Sequence, residues 1–232
     1  MAANASLILI FLAVAFPGLY QAAASAASRS LRGDVKGEVD VPRLDFRQQF
    51  DSEDFVFDLQ GADPEVEGEA GTVKVANLGS VPVLSGEGVS FALVEIEPCG
   101  LNLPHHHPRA AEFGYIVKSE SSKSVRHAFI EENTGRLITN DIGQGQVALV
   151  PGGLVHFVQN MGCESATFLA AFSSSDPGVL TTTTQGIAML PEGTIQATLA
   201  LDSDDANALI AGLPSGVVEG EKECLKRCGL DY

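Results

Sequence analysis

Apolar and polar residues alternate in short runs through the middle of the chain, and that two-residue period predicts strands. Val89–Glu97 alternates most regularly, carrying Phe91 and Leu93. Phe113–Lys118, Val125–Ile130, Arg136–Ile142, Val147–Val150, Val155–Gln159 and Ala166–Phe172 follow at close intervals, separated by Gly, Asn, Asp and Ser. Many short strands at this spacing predict an all-β sandwich or barrel, expected over residues 46–184. Beyond residue 185 the pattern changes. Pro191-Glu-Gly opens an apolar stretch to Leu201, and Asp202-Ser-Asp-Asp205 offers N-caps for Ala206–Leu213. Val217–Cys228, with Lys222, Lys226 and Arg227 late and Gly229 as a stop, reads as a further helix. Residues 185–232 are therefore expected to form a helical extension that packs on the barrel or on a neighbouring subunit.

The N-terminus has a different texture. Residues 7–16 are an apolar run too short to span a bilayer, and Ala24-Ser25-Ala26 suits signal peptidase. The expectation is a cleaved signal peptide over residues 1–26 and a secreted, extracellular mature protein, with a membrane anchor as the alternative. The segment before the apolar run lacks Lys and Arg, leaving the α-amino group as its positive charge. Residues 27–45 are polar and read as a flexible arm, within which Arg29-Ser-Leu-Arg32 and Arg32-Gly-Asp34 are short enough to arise by chance.

Charge narrows the partners. The formal net charge is −16, and residues 1–26 contribute none of it. Such a chain is repelled by phosphate backbones and anionic lipid, which excludes nucleic-acid binding as an expectation. A small dianion would have to be drawn in locally. Four cysteines, Cys99, Cys163, Cys224 and Cys228, lie beyond the signal. An even count in an oxidising compartment predicts two disulfides. Cys99 precedes one histidine segment and Cys163 follows the other, so their pairing is expected, leaving Cys224 with Cys228. A zinc site built on the thiols is the alternative.

Those histidine segments carry the chemistry. The first runs Pro104-His-His-His-Pro108 and on to Glu112; the second holds Pro151-Gly-Gly153, His156 and Asn160. On a strand, His105 and His107 point to one face and His106 to the other, so His106 is expected to be a bystander. Three neutral imidazoles and a carboxylate, His105, His107, His156 and Glu112, make a transition-metal donor set without a thiolate. A divalent cation also gives Glu112 a reason to be buried. Asn160 shares the parity of His156 and reads as a structural amide securing a hairpin, while His127 reads as an ordinary strand histidine.

With these motifs in place, the chain resembles the germins and germin-like proteins of the cupin superfamily, particularly the spherulin-like branch. The second motif, Gly145, Pro151, Gly153, His156 and Asn160, is complete. In the first, His105, His107 and Glu112 match, as does Pro108-Arg-Ala110. The resemblance extends to Asp54-Phe-Val-Phe-Asp58, Gly162-Cys-Glu and the Cys-rich C-terminus. It implies a single two-sheet jelly-roll barrel with Mn(II) held by His105, His107, Glu112 and His156. It also implies homotrimers, sometimes paired into hexamers, through helical C-terminal segments. Ligand type alone leaves Fe, Co, Ni or Zn open.

The departures bear on substrate. Cys99 stands where the family has a glycine, six residues before the first ligand, and Ser119 stands where another glycine is usual. Oxalate-oxidising germins place two asparagines beside the metal; Asn102 matches one, while Ala92 occupies the other position. The resemblance thus implies an oxidoreductase, with superoxide dismutase-like activity first and oxalate oxidase activity second. Superoxide, or a small carboxylate, is the expected small-molecule substrate. A non-enzymatic matrix, storage or encystment protein with a structural metal is the competing reading. Oxalate decarboxylase ranks lower, because it usually comes with two barrels and an acidic lid.

Overall fold

The computed structural model describes residues 43–133 and 135–230. The expected signal peptide and most of the expected arm fall on residues 1–42, outside the described residues. The chain divides between Gln49 and Phe50; on the N-terminal side, the described residues form helix α1 (Arg43–Arg47). Among the described residues, every strand lies on the other side.

Two six-strand antiparallel sheets hold the rest. The first contains β1 (Val66–Gly68), β2 (Gly71–Ala76), β3 (Ser90–Ile96), β5 (Glu112–Lys118), β8 (Val147–Val150) and β10 (Ala166–Phe172), in the order β1-β2-β3-β10-β5-β8. The second contains β4 (Gly100–His106), β6 (Val125–Ile130), β7 (Leu137–Ile142), β9 (His156–Asn160), β11 (Leu180–Thr181) and β12 (Val217–Glu219). Its order is β11-β4-β9-β6-β7, with β12 also on β4. The seven strands expected from alternation are all present, within a residue or so at their ends.

Alternation decides which side chains fill the space between the sheets. On β3, Ser90, Ala92, Val94 and Ile96 are buried; on β10, Ala166, Phe168, Ala170 and Phe172 are buried. On β5, Glu112, Gly114 and Ile116 point inward while Phe113, Tyr115 and Val117 are exposed. Gly114 is glycine for a steric reason: a Cβ there would lie 2.2 Å from Phe168 Cε2. Val125, Ile142, Val158 and Val217 complete this core from the second sheet and its edge.

Two expectations about the C-terminus are corrected. Val217–Cys228 is not one helix. Val217–Glu219 forms β12, pairing Val217 with Asn102 and Glu219 with Gly100, and only Lys222–Cys228 is helical (α4). Two adjacent β-branched residues facing an open length of β4 favour the strand. The preceding helices α2 (Glu192–Leu199) and α3 (Ser203–Gly212) pack on each other, and Asp202 caps α3 by accepting from Asp205 N–H at 2.9 Å. Gly229 ends α4 in the left-handed region, as its stop signal predicts.

The disulfides pair differently from the expectation. Cys99 joins Cys224, and Cys163 joins Cys228. The four sulfurs do gather in one place, with Cys99 Sγ 3.6 Å from Cys228 Sγ. Cys224 and Cys228, one turn apart on α4, face the same way along the helix and reach down to the barrel. Helix geometry makes a bridge between them awkward, whereas each finds a barrel cysteine at Cα separations of 5.6 and 5.2 Å. α4 is thereby fixed to the start of β4 and to the turn after β9.

Candidate metal centre

β4 delivers two of the site's side chains and carries an irregularity that aims them. Asn102 pairs with Val158 and His105 with His156 on β9, so two residues of β4, Leu103 and Pro104, lie opposite Phe157 alone. This is a bulge, and Pro104, which has no N–H to give the ladder, sits in it. Without it, Asn102 and His105 would point to opposite faces; with it, both line the same interior cavity. His107 follows the strand end with the parity of His105, and His106 is left only partly buried, as alternation predicts.

The remaining members come from both sheets. His156 opens β9 directly across from His105, their ring centroids 4.2 Å apart. The turn before it contains Gly153 at φ +79, a conformation that side chains with a Cβ rarely adopt. Glu112 opens β5 in the other sheet. Its cross-strand neighbour Phe172 packs against the His107 ring at 4.5 Å between centroids. All four residues are buried, and their ligand atoms lie within 4.8 Å of one another. His107 Nε2 and His156 Nε2 each lie 3.1 Å from Glu112 Oε2.

The hydrogen bonds behind the rings decide what the site can hold. His105 Nδ1 donates to Leu103 O at 2.6 Å, His107 Nδ1 to Gly178 O at 2.6 Å, and His156 Nδ1 to Leu154 O at 3.0 Å. A carbonyl accepts only, so each Nδ1 carries the hydrogen and each neutral ring presents Nε2 as a lone pair. When all three rings are neutral, three lone pairs and a carboxylate converge with nothing to donate, and only a proton at Nε2 or a bound cation relieves that. A cation satisfies that arrangement, and backbone-anchored imidazoles are how metal-binding histidines are usually held. The donor set fits a transition metal.

Ionisation follows the same logic. Burial, with the neighbouring His156 adding to it, pushes His105 down to about 3, so its ring stays neutral. Burial acts to raise the Glu112 carboxyl, but hydrogen bonds from His107 and His156 outweigh it and hold the group well below the usual carboxylate range. Burial acts to lower His156, yet its bond to Glu112 prevails and raises it. In the metal-free chain, Glu112 thus favours a proton on His156 Nε2.

Several supporting groups carry no sequence signal. The carbonyls of Leu103, Leu154 and Gly178 belong to no recognisable motif, because any residue offers one. Arg109 holds the segment that presents Gly178: Nε donates to Asp176 O at 2.7 Å and Nη2 to Asp176 Oδ1 at 2.8 Å. Asn160 is the structural amide expected, donating to the carbonyls of Ile96, Glu97 and Glu164 and accepting from Gly162 N–H. His127 lies inside the barrel with burial lowering its pKa and Nε2 unpartnered. Cys99 adopts φ +61, the left-handed conformation that a glycine would take without strain, and is pinned there by its bridge to Cys224.

The sequence pattern of the cupin family matches residues 57–207. The chain belongs to the cupin family. Its germin-like, spherulin-type branch fits best. Spherulin-1A of Physarum polycephalum is 34% identical over 177 residues, which are 75% of this chain and 70% of that protein. Among solved structures, an oxalate oxidase superposes with a TM-score of 0.62 at 25% identity, covering 69% of this cupin and 81% of that chain. An oxalate decarboxylase from Bacillus subtilis, a protein with Mn(II) centres, superposes with a TM-score of 0.60 at 29% identity. That match covers 70% of this cupin and 41% of the decarboxylase chain.

Proposed function

We propose that this cupin is a secreted manganese protein and an oxidoreductase, with superoxide dismutase-like activity first and oxalate oxidation second. One observation carries the metal reading: three Nδ1–H groups tied to carbonyls turn three Nε2 lone pairs toward Glu112. His105, His107, Glu112 and His156 would hold the ion. Manganese bound there would supply a redox couple and Lewis acidity beside a cavity open to small molecules. The chain's own residues hold His105 neutral, keep Glu112 ionised, and offer the Asn102 amide to a ligand oxygen. Manganese is preferred over Fe, Co, Ni and Zn through likeness to the Mn(II)-containing decarboxylase and to germins, since the donor types alone do not choose.

Purified chain loaded with manganese is the test. Superoxide removal that is lost in His107→Ala, with the fold retained, supports the reading. Full metal occupancy with no turnover of superoxide or oxalate would sink the enzymatic part. It would favour the second reading, a matrix, storage or encystment protein whose metal only stabilises the barrel. Likeness to a spherulin and the doubly bridged α4 favour that alternative.

Secretion is supported by the apolar run at residues 7–16, the Ala24-Ser25-Ala26 site and two disulfides. N-terminal sequencing of the exported protein, expected to begin after Ala26, checks it. A homotrimer or hexamer is supported by the outer face of the first sheet. There Phe91, Phe113 and Leu149 lie in one row and Tyr115 and Val147 in the next, all exposed. Sedimentation of the native protein tests the assembly.

A further inference from the structure

The strands that wall the cavity beside the metal centre set its apolar residues in two adjoining rows. Ala92 on β3 pairs with Val75 on β2 and with Ala170 on β10. Val94, two residues on, pairs with Val73 and Phe168. Cross-strand partners share a face, so these six side chains make one continuous aliphatic and aromatic wall. All six line the cavity, whose volume is about 340 Å³. Asn102 and His105 reach the same cavity from β4 in the other sheet. The Asn102 side chain makes no hydrogen bond to another described residue, which leaves its amide free for a ligand.

Charge selects among ligands. No Lys or Arg lines the cavity, and its carboxylates besides Glu112 are Glu65 and Asp176. Asp176 is already paired with Arg109. A divalent ion with ionised Glu112 leaves one net positive charge, which a monoanion cancels. A dianion would leave a net negative charge in a cavity walled by hydrocarbon, and an uncompensated buried charge is costly. Ala92 cannot donate a hydrogen bond to a second carboxylate, and neither can the five other wall residues; the cavity's remaining neutral polar side chains, Asn77, Thr181, Thr184 and Gln185, stand outside that wall. The cavity is also far larger than a two-carbon dianion fills.

We propose that this cavity prefers a small monocarboxylate with a short aliphatic body over oxalate. Its carboxylate end faces the metal centre and the Asn102 amide, and its alkyl end rests on the wall of Val73, Val75, Ala92, Val94, Phe168 and Ala170. The proposal rests on the metal reading above.

The test uses full-length manganese-loaded protein titrated with 3-methylbutanoate and with oxalate. Heat of binding and the electron paramagnetic resonance signal of the bound Mn(II) are followed, and retained manganese is measured after each titration so that stripping is not scored as binding. The expected result is 3-methylbutanoate binding about tenfold or more tighter than oxalate, the equivalent of about 1.4 kcal/mol. Ala92→Asn is expected to narrow or reverse that ranking, and Asn102→Ala to weaken both ligands. The wild-type ranking stands as a test even if Ala92→Asn does not fold. Tighter oxalate binding in the wild type, or no binding of either acid to a manganese-loaded chain, overturns the proposal and leaves the metal reading standing. A chain that retains no manganese overturns both.

Discussion

Glu112 and His156 meet across the two sheets, Oε2 to Nε2 at 3.1 Å, although one opens β5 and the other opens β9 forty-four residues later. His107 approaches the same oxygen at the same distance. A single carboxylate oxygen therefore sits between two imidazole nitrogens whose other nitrogens already donate to the backbone.

Glu112→Gln keeps the size of the side chain and removes its charge. Manganese affinity is expected to fall by more than the roughly 10–100-fold that losing a ligand's supporting partner costs. The metal-free fold should survive, because the amide fills the same space, but with some loss of stability, because the bonds from His107 and His156 favour the ionised carboxylate. Competition with a chelator measures the affinity, and thermal unfolding checks the fold.

Metal uptake should be coupled to protons through His156. Its pKa is raised above 6.5, so on the acid side of neutrality the metal-free ring is charged and must shed a proton before Nε2 can bind an ion. His105, at about 3, and ionised Glu112 are already bare and release none. Titration calorimetry in buffers of different ionisation heat, run near pH 6, should therefore show about one proton released from His156. Release should diminish, and affinity rise, as pH climbs past the His156 pKa.

Arg109 acts on the site only through the segment it clamps. Arg109→Ala frees Asp176 and loosens Gly178, the acceptor for His107 Nδ1. About a tenfold loss in metal affinity is expected. Stability should change by less than about 1 kcal/mol, since the Arg109–Asp176 pair is more than half exposed. Rescue by Arg109→Lys should be partial, because a lysine cannot reproduce the two-pronged contact.

Peptide mapping without reduction should recover Cys99 with Cys224 and Cys163 with Cys228. Removing either bridge by a paired Cys→Ser change is expected to cost about 2–5 kcal/mol on unfolding. The Cys99–Cys224 pair should matter more to the site, because it fixes the first residue before β4.

Much of this was legible in the chain. Strand parity placed His105 and His107 on one face and sent His106 away, because the two-residue period is a property of the backbone and needs no tertiary information. The glycine and proline spacing around His156 likewise marked a turn into a strand. Local rules could not see the bulge at Leu103–Pro104, which exists only against β9, nor the carbonyl of Gly178, which reaches His107 from seventy-one residues away. The cysteine pairing failed for a similar reason. The proximity of Cys99 and Cys163 follows from the histidine segments they flank, but nothing in the spacing says that α4 brings its two cysteines between them. Val217-Val218 became a strand because an edge of β4 was open to it, a fact of topology and not of propensity.

The most direct test of the central claim is the manganese content of the loaded and desalted protein, read beside His107→Ala. One manganese per wild-type chain and none in a folded His107→Ala variant is the predicted result. No retained manganese in the wild type, or an equal amount in the variant, would contradict it.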